Sequence, residues 1–330
     1  MLFAFSADRL YAFQMELYLK ITLIWMLSFP CLAAEEHNST DFHFYNSSEQ
    51  TTKFKHMLTN TGILVDDHNI KMKTILEEKI LSIFYKNNAE RHICEDLPFI
   101  KDIAIGRCSG VLIKPDVVVT AGHCVDATIT EQTWFFNYQQ DQDLALKTGY
   151  KVEKVIFHNF NMIKSNYSFK RSEVNRQREK IGMPPLPADI HDYSGYRDLA
   201  LLKLNKPVVG YLPLNINYDP FFRGRTAVSV GHPLGLSLKS NHNGFLKKMG
   251  NPYYMTTNIK TLKGNSGGPL FDLESGDLIG ITVNQGFNVA FGMKPGRRCY
   301  GFKNQLSTAD DIQHLSGHMT LVQVRPFINN

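Results

Sequence analysis

The chain has 330 residues, 43% of them apolar and 12% aromatic, enough to bury one full core or two smaller ones, which excludes global disorder. Its formal net charge of +5 is mild, and outside one loop the positive residues are scattered. That balance argues weakly for anionic partners and gives no reason to expect nucleic acid.

In chain order, the first informative segment is the apolar run Ile21 to Phe29, preceded by Lys20 and followed by Pro30, Cys31, Leu32, Ala33 and Ala34. It is too short for an ordinary bilayer span but has the length of a signal-peptide core, so residues 1–34 read as a cleaved signal, with Met15 as an alternative start. A buried core helix is the bland alternative, set against by the polar sequence that follows. This reading implies a secreted or periplasmic protein with no stable membrane span once the signal is gone. Residues 35–88 are rich in Asn, Thr, Ser, His and Lys, with one amphipathic stretch near Ile75 to Phe84. They read as a pro-segment or a loosely packed N-terminal extension.

From Cys94 onward the texture changes to short apolar runs, among them Gly110 to Ile113, Val117 to Thr120, Val152 to Phe157, Leu199 to Leu204, Ala227 to Val230 and Leu278 to Val283. Runs of four to six residues rich in Val, Ile, Leu and Tyr, bounded by Gly, Pro, Asn and Asp, are strand signals, and the fold class expected is all-β. The boundaries this suggests are 89–210 for a first β unit and 211–330 for a second. Within the first, Ile163 to Asp192 is a polar loop with six Lys or Arg from Lys164 to Lys180, most simply a solvated face. The C-terminal VQVRPFI is apolar enough to dock on the domain.

Cys31 leaves with the signal or lies at its edge, so four of the five cysteines remain for an oxidising compartment. Cys108 and Cys124 flank one strand signal and are paired; elimination then pairs Cys94 with Cys299. No CxxC or HExxH spacing is present to support a metal site, and neither metal nor cofactor is expected.

Three separated motifs carry chemistry. Gly264 to Pro269 reads GNSGGP; the glycines permit a tight turn that exposes the Ser266 hydroxyl and aims the amides of Gly264 and Ser266 at one point as an oxyanion hole. A bland turn could contain Asn-Ser-Gly, but six such positions leading into the strand PLF make nucleophile the better reading. His123, in TAGHC after the strand VVV, is the base. Asp198 opens the apolar run RDLALLKL and can be drawn inward to fix the imidazole. Asp189 and Asp192 are its rivals, and neither is followed by an apolar run. Hydroxyl, base, orienting carboxylate and oxyanion donors together point to acyl transfer through a serine nucleophile.

The order His, Asp, Ser, with CSGVLIKPDVVVTAGHC from Cys108, RDLALLKL from Arg197, GHPLGLSLK from Gly231 and the Ser266 block, resembles the trypsin-like peptidases. With ICED at Ile93 to Asp96, the chain is more similar to the bacterial secreted branch that includes glutamyl endopeptidases than to digestive trypsins. The resemblance covers about Ile93 to Ile328. It implies two packed antiparallel β-barrels with His123 and Asp198 on the first, Ser266 on the second and the site in the cleft between them. It also implies a monomeric serine endopeptidase acting on polypeptide substrates. A protease-like binding or adhesion protein with an inert triad is the alternative, and it would show a broken triad or a blocked turn.

The chain departs from the digestive enzymes in two places. It has no Ile-Val-Gly-Gly type start, and Asn265 stands where the aspartate that pairs with a new N-terminus would be, so that activation is not expected. Six residues before Ser266, at the base of the specificity pocket, stands Lys260 in place of Asp. Thr261 matches a threonine of the glutamyl endopeptidases, whereas Thr282 stands where their pocket histidine would be. Lys260, Thr261 and Lys263 imply a preference for acidic or small polar residues over Lys or Arg.

Overall fold

The computed structural model describes residues 45–46, 55–84, 92–161, 197–218, 224–251, 253–284, 289–293, 299–304 and 315–328. One compact unit spans Phe42–Asn330. The signal segment, the basic loop, and the rival Asp189 and Asp192 lie outside the described residues. Among those described, no helix is long and apolar enough to cross a membrane.

The chain is mostly β, in two antiparallel sheets. The first contains β2 (Thr61–Asp66), β3 (Gly106–Lys114), β4 (Val117–Thr120), β5 (Gln132–Phe136), β6 (Val152–Asn161) and β7 (Arg197–Leu204), in the order β5-β2-β3-β4-β7-β6. Its free edges meet where Trp134 on β5 and Tyr150, just before β6, exchange two main-chain hydrogen bonds of 2.9 and 3.0 Å. Strands β4 and β7 read as nearly continuous apolar runs because both of their faces are covered. Trp134 is fully buried and stacks on Phe136.

The second sheet runs β9-β10-β15-β12-β11-β8, from β8 (Thr226–Gly231), β9 (Lys239–Asn251), β10 (Tyr254–Thr257), β11 (Pro269–Asp272), β12 (Leu278–Asn284) and β15 (Ser316–Met319). Strand β8 also pairs with β9 and closes it into a barrel without free edges. The short β1 (Tyr45–Asn46) pairs with the start of β9. A hairpin of β13 (Val289–Met293) and β14 (Tyr300–Asn304) stands apart from both sheets. One hydrophobic cluster joins the two, with Leu112, Val118, Trp134 and Leu201 from the first and Leu278, Ile281 and Met319 from the second.

Residues 55–84 correct the sequence reading. Helix α1 (Lys55–Thr59) leads into β2, which lies between β3 and β5 with Ile63, Leu64 and Val65 wholly buried. After α2 (Asp67–Met72) comes α3 (Leu76–Phe84), whose Leu76 and Ile80, one turn apart, join a cluster with Leu97, Ile100, Leu234 and Leu236. A segment that supplies a central strand and a core-facing helix is not loosely packed. The first barrel therefore begins before residue 89.

Both disulfides form as paired from the sequence, Cys108–Cys124 and Cys94–Cys299. The C-terminal VQVRPFI does dock: it forms a short turn and then α4 (Arg325–Ile328), with Val324 buried in the shared cluster.

Candidate active site

Strand β4 ends at Thr120 and the chain turns at once through a single 3₁₀ turn, Gly122–Cys124, which carries His123 to the barrel edge. Two anchors hold it there. The Cys108–Cys124 disulfide ties the turn to β3, and the carboxylate of Asp198 binds His123 at both ends: Oδ1 accepts the main-chain N–H at 2.8 Å, and Oδ2 faces Nδ1 at 2.7 Å. Asp198 is the second residue of β7, and its side chain is 1% exposed against 31% for His123. A desolvated carboxylate beside Nδ1 keeps the proton on that nitrogen and leaves Nε2 as the available base. The Phe160 ring lies 6.1 Å from the imidazole.

Ser266 stands on a turn between β10 and β11 that φ values of +93° at Gly264 and +82° at Gly267 make possible. A Cβ at Gly264 would lie 2.4 Å from the His232 carbonyl oxygen, and one at Gly267 2.2 Å from that of Ser109. Glycine is needed at both for the backbone angle and for the close approach. Every carbonyl from 263 to 266 has a donor. Lys263 O accepts from Leu234 N–H at 2.5 Å, Asn265 O from Gly268 N–H at 2.8 Å, Ser266 O from Ser109 N–H at 2.8 Å, and Gly264 O from Ser109 Oγ at 2.7 Å. The N–H groups of Gly264 and Ser266 donate to no acceptor among the described residues.

The turn and the imidazole flank the same disulfide. A ring nitrogen of His123 lies within 4.8 Å of the sulfurs of Cys108 and Cys124, and Cys124 Sγ is 3.7 Å from Ser266 O. These three residues form a group of metal-ligand type, but both sulfurs are spent in the disulfide, so no thiolate is there to hold an ion. The Ser266 hydroxyl and the imidazole share no hydrogen bond in this structure; such pairs are often loose at rest and tighten with substrate.

Of the residues expected in the specificity pocket, Thr261 and Thr282 are buried and Lys260 is half-buried. Thr261 Oγ1 bonds Ser316 Oγ at 2.8 Å, and Ser316 Oγ donates to Ile259 O at 2.6 Å. A residue missed from the sequence stands opposite Thr282. His318 on β15 is its cross-strand partner, with Nδ1 3.3 Å from Thr282 Oγ1 and Nε2 2.9 Å from Thr257 Oγ1. The only signal was a lone His in the short run SGHM, more often a satisfied core residue than a functional one. It is wholly buried, and burial pushes its pKa down to about 3, so it is neutral.

Residues 108–281, just over half of the chain, match the family model described as a trypsin-like peptidase domain. No curated protein matches the chain. Among solved structures, a similar chain is neuropsin, a serine protease expressed in the limbic system of mouse brain. It is 13% identical with a TM-score of 0.47, over 83% of this chain and 94% of that one.

Proposed function

The chain belongs to the trypsin-like peptidase family, and from that premise we propose that it is a secreted serine endopeptidase with His123, Asp198 and Ser266 as its triad. Ser266 Oγ attacks the scissile carbonyl while His123 Nε2 takes its proton. The N–H groups of Gly264 and Ser266 receive the oxyanion. Collapse of the tetrahedral intermediate passes the proton from His123 to the leaving amine and leaves an acyl group on Ser266. Water, deprotonated by His123, then releases the acid.

The observation that carries this reading is the pair of hydrogen bonds between His123 and the buried Asp198 carboxylate, beside a turn in which the Gly264 and Ser266 N–H groups donate to no acceptor among the described residues. Secretion is supported by two disulfides, which persist in oxidising compartments. We place the enzyme nearer the bacterial glutamyl-endopeptidase branch on its sequence motifs. Its preference is then for acidic or small polar residues. The groups named for the pocket are Lys260, the hydroxyls of Thr261 and Thr282, and the neutral His318, with no carboxylate among them to draw Lys or Arg.

The test is labelling with a fluorophosphonate probe followed by mass mapping. Ser266 takes the label, and Ser266→Ala and His123→Ala each lower amide hydrolysis by about four to six orders of magnitude. An active, purified Ser266→Ala protein would defeat the assignment, and a strong Arg preference in a P1 library would defeat the specificity reading alone.

A further inference from the structure

We propose that Ser109 is a positioning residue whose hydroxyl sets the oxyanion turn in working form, so that the fold itself, with no newly released α-amino group, completes the site. This rests on the reading of Gly264 and Ser266 as the oxyanion donors.

Ser109 follows Cys108 on β3 and is wholly buried. Its polar groups are nearly all turned toward the second barrel. The N–H holds Ser266 O at 2.8 Å; Oγ donates to Gly264 O at 2.7 Å and accepts the His232 N–H at 2.9 Å. Its carbonyl accepts from Thr120 Oγ1 at 2.7 Å, which keeps Ser109 in register with the strand leading to His123.

A trans peptide points its N–H opposite to its C=O. Holding Lys263 O therefore directs the Gly264 N–H, and holding Asn265 O directs the Ser266 N–H. The peptide between these two, whose oxygen is Gly264 O, is the hinge on which they could turn relative to each other. Ser109 Oγ holds that hinge at its oxygen, while its other end, the Asn265 N–H, donates to Leu262 O at 3.1 Å. The other three donors to the turn are main-chain N–H groups, which ordinary substitution leaves in place; Ser109 Oγ alone is set by side-chain identity.

The same hydroxyl reaches the neighbouring loop through His232 N–H. Two residues on, Leu234 donates to Lys263 O from a left-handed conformation, φ +54° and ψ 13°, that a leucine rarely adopts. Without the hydroxyl, Gly264 O and His232 N–H lose their partner together, and the loop that orients the Gly264 N–H loses a tether. Asn265, uncharged and 4% exposed, asks for no buried cation, in keeping with a turn held by neutral hydrogen bonds.

The experiment compares Ser109→Ala and Ser109→Thr with the full chain, using steady-state kinetics on a peptide amide and the affinity of a peptide aldehyde, whose adduct on Ser266 places an oxyanion in the turn. Ser109→Ala is expected to lower kcat about ten- to a hundredfold at nearly unchanged KM, with aldehyde affinity falling in step. Ser109→Thr, which keeps the hydroxyl, stays within about fivefold of the starting enzyme. Wild-type kcat and aldehyde affinity in a folded Ser109→Ala protein, whatever its Tm, overturn the proposal. If Ser109→Ala does not fold, Ser109→Gly takes its place with the same expectations; if neither folds while Ser109→Thr does, the hydroxyl serves folding and the proposal fails. Ser266→Ala separates the two levels. Activity surviving in it removes the nucleophile assignment on which the oxyanion reading depends, whereas its inactivity beside a fully active Ser109→Ala removes only this proposal.

Discussion

Asp198 grips His123 twice, once at the main-chain N–H and once at Nδ1, with one carboxylate oxygen for each. Both contacts need an acceptor, and an amide can offer only one. In Asp198→Asn, Oδ1 can still take the main-chain N–H, but an NH₂ then faces Nδ1, and the imidazole must carry its proton on Nε2, where it cannot act as base. The expected result is a fall in kcat of about three to four orders of magnitude with KM little changed and the fold retained. A kcat within tenfold of the starting enzyme would show that the pair holds structure only.

Gly264 is confined on two counts, by its positive φ and by the His232 carbonyl 2.4 Å from where a Cβ would stand, with Leu234 N and Gly235 N at 2.9 Å. All three atoms are main chain, so no side-chain rotation relieves the contact. Gly264→Ala must then tilt the peptide whose N–H is one proposed oxyanion donor. Activity is expected to fall by about a hundredfold or more, mostly in kcat, because the misplaced donor matters only when charge develops. Equal losses for substrate affinity and turnover would point instead to general disorder of the pocket.

The parts legible from sequence are those in which one short stretch carries its whole signal. The runs VVVT and RDLALLKL are dense in apolar residues because both faces of β4 and β7 are covered. The turn at Ser266 shows because its backbone demands glycine. Strand β2 was missed because TGILVD is brief, sits in polar sequence, and owes its strand state to partners more than 40 residues away on β3 and β5. His318 was missed because its relation to Thr282 is a matter of sheet register, which composition does not reveal. The lesson for β2 can be tested by truncation. A chain from Phe42 is expected to fold and take the fluorophosphonate label. A chain from Tyr85 loses the strand between β3 and β5, exposes two sheet edges and uncovers the cluster that Leu64 shares with Leu112 and Trp134, and is expected to aggregate. A soluble, labelled protein starting at Tyr85 would return residues 55–84 to the status of a removable extension.

Acid should weaken the fold through two histidines outside the proposed triad. His232 and His318 are both wholly buried, and burial above all holds each ring pKa down at about 3; at His232 the nearby Lys239 charge adds to this and the Leu236 carbonyl opposes it. In the unfolded chain each titrates near 6.5. Below that value the unfolded state takes up protons that the native state refuses, so stability is full above about pH 6.5 and declines as pH falls toward 3. At pH 5 the loss is about 2 kcal/mol per histidine, in a range where unfolded carboxylates remain mostly ionised. Denaturant unfolding of the Ser266→Ala protein, chosen to prevent self-digestion, should therefore show a clearly lower midpoint at pH 5 than at pH 7.5. His318→Gln should remove about half of that difference, because glutamine does not titrate and still offers a donor and an acceptor to Thr257 and Thr282. If the midpoint is the same at both pH values, the two rings are not buried neutral in solution as they are in this structure.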